Sequence, residues 1–197
     1  GNTDSLSLHH KQTQRYEIHA RTKGQKNIAR IIRPGLYIAD NTNLNLVVDT
    51  SHRVLLDFNS KNITLNNNIF NDVKIDAQNS KDSLSLKINS SNITTGGLSF
   101  QDVSADNSII NNIITTQVKY NNGGDRKNNG NLYLRSRIFK TEPDDKLGLD
   151  VNLQQSSLIL NDSIWWFAPS NITVQSDKID VNNFKFYRTN QQYFTID

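Results

Sequence analysis

The stretch NLYLRSRIFK at 131–140, followed by KLGLDVNL at 146–153, decides the fold. In the first run Leu132, Leu134 and Ile138 alternate with Tyr133, Arg135, Arg137 and Phe139. In the second, Leu147, Leu149, Val151 and Leu153 alternate with Gly148, Asp150 and Asn152. Side chains on a strand point to opposite faces in turn, so each run builds a strand with one apolar and one polar face. The same period returns at Leu158 and Leu160, Ile172 and Val174, Ile179 and Val181, Phe184 and Phe186, and Phe194 and Ile196. The purpose of the apolar face is therefore the functional question.

Outward from this region the pattern stays β. Strands are predicted at 36–40, 43–49, 52–58, 62–66, 69–77, 82–89, 91–95, 98–105, 108–120, 131–140, 146–154, 156–160, 163–167, 170–175, 178–187 and 191–196. Asn, Asp, Ser and Gly punctuate them, as turns require. Starts at intervals of roughly 8–12 residues fit an antiparallel all-β protein, and no interposed helices are available for parallel crossovers. Upstream, Leu6 and Leu8, then Tyr16 and Ile18, read as two short strands about a turn at Lys11–Gln14. One helix is predicted over residues 25–33 (QKNIARIIR), where Ile28, Ile31 and Ile32 have helical spacing and Pro34-Gly35 follows as a stop. The run NNGGDRKNNG at 121–130 reads as a flexible loop. Alternation resumes beyond it in the same style, so residues 1–197 form one architecture with a soft division there. Asn62-Ile63-Thr64, Asn92-Ile93-Thr94 and Asn171-Ile172-Thr173 echo one another, each opening a strand after a polar turn, without the fixed period of a solenoid.

Only 35% of the 197 residues are hydrophobic, and mean hydropathy is −0.61. A compact globule is nearer 45–50% apolar when Gly is counted. A thin or elongated sheet, with a high surface-to-volume ratio, fits the lower value. A net charge of +3 is too small to argue for nucleic acid. The basic stretch Arg15–Arg33 (Arg21, Lys23, Lys26, Arg30, Arg33) lacks the interleaved aromatics of a base-binding surface and reads as solvated. The absence of Cys removes disulfides, thiolate metal sites and Cys nucleophiles. No apolar run approaches the ~20 residues of a membrane helix. The chain opens with Gly1 rather than Met, so it is expected to be a piece of a longer protein.

Groups able to do chemistry are sparse. His9-His10 point to opposite strand faces, and His19 and His52 have no carboxylate at ligand spacing, whereas zinc needs three or four convergent donors. Asp144-Asp145 sit in a turn sequence (EPDDK), and Asp72 with Asp76 is the one pair with the look of a glycosidase's carboxylates. Solvated strand faces explain both pairs more simply. No phosphate loop, nucleophile elbow or EF-hand spacing occurs. No cofactor or metal is expected, and the chain is not read as an enzyme. The Asn-x-Ser/Thr triplets at Asn62, Asn89, Asn92, Asn161 and Asn171 are unremarkable in so Asn-rich a chain. Both tryptophans lie in LILNDSIWWFAPS at 158–170, which reads as an aromatic-rich hairpin or, more sharply, as a platform for a sugar.

The phrase LILNDSIWWFAPSNITVQSDKIDVNNFKFYRTNQQYFTID, at 158–197, resembles a recurrent stretch of TamB-like proteins of Bacteroidetes. The lead-in NLYLRSRIFKTEPDDKLGLDVNLQQSSLILND is similar to the same family, and RIIRPGLYIADNTNLNLVVD resembles its upstream segment more loosely. The likeness covers most of residues 31–197. It implies a periplasmic fragment of a long envelope protein, anchored in the inner membrane and working with an outer-membrane barrel of the Omp85 class. It implies a curled antiparallel sheet, the β-taco of AsmA-like proteins, with an apolar groove for phospholipid transport, outer-membrane protein assembly, or both. The family has no catalytic residues to carry over. Leu134, Leu149, Val151, Leu160, Val174 and Val181 are the expected lining of the groove. Phospholipid or other acyl chains are the expected ligand, with no nucleic acid partner. The alternative is a secreted carbohydrate-binding or adhesive β-sandwich or β-helix with Trp165 and Trp166 exposed.

Overall fold

The structure, a computed structural model, describes residues 15–23, 33–49, 53–123, 126–141, 146–176, 178–189 and 191–196. They form one open antiparallel sheet of 16 strands. In chain order these are β1 (Arg15–Arg21), β2 (Leu36–Ile38), β3 (Asn43–Asp49), β4 (Val54–Leu65), β5 (Asn68–Ser80), β6 (Ser83–Thr95), β7 (Leu98–Ile110) and β8 (Ile113–Asn122). There follow β9 (Asn128–Thr141), β10 (Lys146–Leu153), β11 (Ser156–Leu160), β12 (Ser163–Phe167), β13 (Ser170–Val174), β14 (Ile179–Asn182), β15 (Phe184–Thr189) and β16 (Gln192–Ile196). None of the described residues is helical. The helix expected at 25–33 is not borne out: residues 25–32 lie outside the described residues, and Arg33 is a bend.

Four pairs of strands are single rows interrupted by a kink. β2 and β3 both pair with β4, on either side of Ala39–Thr42. β10 and β11 both pair with β9, on either side of Gln154-Gln155. β12 with β13, and β14 with β15, continue the pattern across Ala168-Pro169 and Asn183. The sheet is thus a meander of twelve rows, matching the twelve-strand path from β1 to β16. Turn chemistry sets the row ends. Gly96-Gly97, Asn111-Asn112 and Asn161-Asp162 each place two consecutive residues at positive φ, as a two-residue type I′ hairpin demands.

The kinks line up with features inside the unbroken strands to form a crease across the sheet. On β4 and β6 it is marked by Ser60 and Ser90, and on β5 and β7 by Asp72 and Asp102, each at φ +46°. The apolar phase changes there. Above the crease Phe58 pairs with Ile75, Ile75 with Ile88, and Ile88 with Ala105. Below it Ile63 pairs with Phe70, Phe70 with Ile93, and Ile93 with Phe100. Phe58 and Ile63 are an odd number of residues apart and would face opposite ways on a plain strand. A left-handed residue in each alternate strand reverses the pleat. The ring of Phe100 then meets Tyr120 edge-on at 5.1 Å, and Tyr120 lies opposite Gly130 on the face that carries Val118 and Leu132. One apolar face thus continues through the crease.

Several predicted boundaries move for this reason. The strands expected at 52–58 and 62–66 are one strand, β4, and those at 82–89 and 91–95 are β6. The polar runs between them are crease, not turn. The strands read as 98–105 and 108–120 divide instead at Asn111-Asn112. Of the expected loop at 121–130, residues 121–122 and 128–130 are strand, and β8 pairs with β9 up to Asn122–Asn128. A fixed period is also present, against expectation: Ser60 to Ser90, Asn66 to Gly96 and Asp72 to Asp102 are each spaced by 30 residues. A strand plus its turn takes 15 residues here, so a hairpin takes 30.

Candidate functional site: an uncovered apolar face

The alternation on each row collects one apolar face. Tyr16, Ile18 and Ala20 lie opposite Val48, Leu46 and Leu44, which lie opposite Val54, Leu56 and Phe58. Further along, Leu134 pairs with Leu153, Leu149 with Val174, and Val151 with Ile172, which pairs with Val181. Leu160 is two residues from Leu158, which pairs with both Gly130 and Trp165. All six residues predicted as lining, Leu134, Leu149, Val151, Leu160, Val174 and Val181, therefore share this face, and all are half-buried. At its C-terminal end the face is aromatic. Trp165 stacks on Phe186 with centroids 4.9 Å apart, and Phe167 meets both Phe184 and Phe186.

Strands touch mainly their hydrogen-bonded neighbours, with a small further contact between β13 and β15. Among the described residues no second layer covers the face. Val73 and Leu153, at 7% and 6% exposure, are the buried apolar side chains. Both stand at the crease, as do the buried hydroxyl residues Thr42, Ser60, Ser90, Ser156 and Ser170. The periodicity did not mark these five as interior, since small polar residues at Asn- and Ser-rich breaks look like turn formers.

Their hydrogen bonds explain their burial. Where a strand kinks, carbonyls lose ladder partners, and a buried unpaired carbonyl is costly. Ser60 Oγ donates to the carbonyl of Asn62 at 3.0 Å, and Ser90 Oγ reaches those of Asn71 and Asn92 at 2.7 and 2.9 Å. Ser156 accepts from the Tyr133 amide at 2.9 Å and donates to Gln154 at 2.8 Å. Ser170 reaches the carbonyls of Ala168 and Asn183 at 2.9 and 3.0 Å. The hydroxyls of Thr42 and Ser60 are themselves 2.7 Å apart. The Asn-Ile-Thr echo is the sequence trace of this crease: Ser60 and Ser90 stand two residues before it, Ser170 one. Ser90→Ala is expected to cost about 1–2 kcal/mol, the size of a lost buried hydrogen bond, seen as a lower urea midpoint. Ser85→Ala, at a half-buried position of the same strand away from the crease, is expected to leave the midpoint unchanged.

The opposite face is polar and internally paired. Lys61 bonds Asp72 at 2.8 Å, and Ser91 donates to the same carboxylate at 2.8 Å. Lys61 first, then Ser91, holds the Asp72 carboxyl below the ordinary range. Asp76 faces Lys74 at 3.3 Å. The two carboxylates weighed as a glycosidase pair thus each sit on the exposed surface with their own lysine. His19 bonds Asn45 at 2.9 Å and Glu17 at 3.3 Å, and these partners, Asn45 foremost, raise its pKa. No group of three or more His, Asp or Glu side chains converges as a metal site among the described residues. His9, His10 and His52 lie outside them, as do Asp144 and Asp145. Trp166 lies on the polar side, opposite Tyr187, while Trp165 is on the apolar one, so the two do not form one platform. No helix of the described residues is long and apolar enough to cross a membrane. No family model, curated protein or solved structure matches the chain.

Proposed function

We propose that the chain is a lipid-binding segment of a TamB-like envelope protein, its sheet curled along the crease so that the apolar face becomes an open groove for acyl chains. The observation that carries this reading is the continuous apolar face across twelve rows with no layer packed on it. Uncovered apolar surface beyond a few hundred Å2 ordinarily marks a binding surface. The curl is supported by where burial falls. In a single sheet, side chains are shielded only by neighbours leaning over them, and the most shielded ones are those on the crease.

Such a groove needs no specific polar grip. Each methylene withdrawn from water contributes about 0.8 kcal/mol when fully buried, and less on an open face. A chain is held by length rather than by a point contact and can slide. This suits phospholipid transfer, with or without a role in outer-membrane protein assembly alongside an Omp85-class barrel. It fits a periplasmic location with an inner-membrane anchor elsewhere in the protein. No catalytic step or cofactor belongs to this reading. The carbohydrate-binding or adhesive alternative is weakened by the placement of the two tryptophans on opposite faces.

The test is mass spectrometry of lipids retained by the purified protein, repeated with Val151→Asp. A charge placed in the middle of the face is expected to lower retained phospholipid about tenfold, since burying an unpaired carboxylate opposes an acyl chain. A protein that carries no lipid, or a variant that retains as much as the parent, overturns the proposal.

A further inference from the structure

The polar face carries two parallel ranks of side chains across β9, β10, β13 and β14, and they are occupied very differently. The register sets Arg137 opposite Asp150, Asp150 opposite Thr173, and Thr173 opposite Asp180. This rank is satisfied within itself. Arg137 donates to Asp150 at 3.0 Å, Thr173 donates to the other Asp150 oxygen at 3.0 Å, and Asp180 pairs with Lys178 at 2.8 Å. The neighbouring rank sets Arg135 opposite Asn152, Asn152 opposite Asn171, and Asn171 opposite Asn182. Its one internal bond runs from Asn152 Nδ2 to Asn171 Oδ1 at 2.6 Å. Arg135 and Asn182 have no hydrogen-bond or ion-pair partner among the described residues. The two ranks floor a shallow concavity of about 620 Å3, with Ile113 at one end. Small-molecule sites run from roughly 300 to 1,000 Å3.

We propose that this concavity binds a hydroxyl-rich anion of the sugar-acid or sugar-phosphate class. The guanidinium of Arg135 offers a fork that matches a carboxylate or phosphate. The charges of Arg137 and Asp150 cancel, so Arg135 leaves one positive charge facing the ligand. The amides of Asn171 and Asn182 still offer donors, and Asn152 and Asn182 offer amide oxygens, the mixed set that a row of sugar hydroxyls requires. The bond from Asn152 to Asn171 fixes the middle of the rank in advance, which lowers the cost of ordering it on binding. Ile113 provides an apolar contact for the C–H face of a ring. This site is on the face opposite the acyl groove and stands or falls independently of it.

The probe is glucose 6-phosphate, titrated into 15N-labelled protein, with glucuronate, glucose and inorganic phosphate in parallel. Saturable amide shifts are expected around residues 135, 152, 171 and 182. Glucose 6-phosphate or glucuronate should bind about tenfold more tightly than glucose, and the stronger of the two identifies the anion. Arg135→Ala is expected to weaken binding about tenfold and Asn182→Ala about threefold. Both side chains are exposed, so both variants should keep the parent's spectrum elsewhere. Lys119→Ala, which removes another exposed cation of this face, should leave binding unchanged. The proposal is overturned by the absence of saturable shifts. Shifts as large around Lys119 as around Arg135, or inorganic phosphate binding as tightly as the sugar phosphate, overturn it equally.

Discussion

Leu153→Ala is expected to destabilise the sheet by about 2–3 kcal/mol, near the lower end of the range for removing a buried leucine. Leu153 ends β10 at the kink, with Leu134 on one side and Ser170 on the other, and is only 6% exposed. In a two-layer protein such a residue is one of many. Here it is one of two buried apolar side chains among the described residues, the other being Val73. The cost stays at the low end because no second layer borders the vacated space, so neighbours on the same face can lean in. Leu147, on the same strand and face but 69% exposed, is the matched control. Leu147→Ala is expected to shift stability by no more than about 0.5 kcal/mol. Urea unfolding read at its midpoint separates the two, provided the slope is unchanged. Equal midpoints would mean that stability is spread evenly over the face and that the crease has no special part in it.

Gly130→Val is the second large effect, expected at about 2–3 kcal/mol, from overpacking rather than loss. Gly130 is buried on β9, where the ring of Tyr120 closes over it. A Cβ at this position would run into that ring and stand 2.6 Å from Leu158 Cδ2. Extra carbon in a filled site costs about 1–3 kcal/mol. Moving Tyr120 also breaks its edge-on contact with Phe100, worth about 0.5–1.5 kcal/mol in such pairs. That contact joins the two sides of the crease, so the damage should not stay local. Burial raises the Tyr120 phenol pKa in the parent. In the variant the phenol should titrate closer to its ordinary range, a readout independent of unfolding. Gly123→Val is the control, since a Cβ there meets nothing within 4 Å and its φ is not positive. A Gly130→Val protein as stable as the parent, with an unchanged tyrosine titration, would count against the close packing of that ring on the backbone.

Much of this was legible in the sequence because period-two alternation is a strong signal when one face is apolar. The rows from 131 onward were placed within a few residues of their true ends, and the six lining residues fall on one face. What escaped was the crease. Polar runs such as Asn59-Ser60-Lys61-Asn62 and Asn89-Ser90-Ser91-Asn92 have the composition of turns. They lie in mid-strand because the serine hydroxyl bonds a carbonyl that the bend removes from the ladder. The true turn at Asn111-Asn112 was hidden by apolar residues on both sides, Ile109-Ile110 and Ile113-Ile114. The 30-residue spacing escaped because it is carried by serine, aspartate and glycine rather than by apolar residues. The two ranks on the polar face could not be found from composition, since they depend on register across four strands.

The repeated hairpin turns the chain into a ruler. Neighbouring strands stand about 4.8 Å apart, so each added hairpin widens the sheet by roughly 10 Å, and twelve rows span about 50 Å. Because 30 residues bring the serine and the left-handed aspartate back to the same heights, a duplicated hairpin would slot in with its crease already aligned. Reach can then grow by tandem copying, without redesign of any position. A span of about 50 Å exceeds the roughly 30 Å hydrocarbon core of a bilayer. A chain of this kind can therefore match the distance it has to bridge by the number of its hairpins alone.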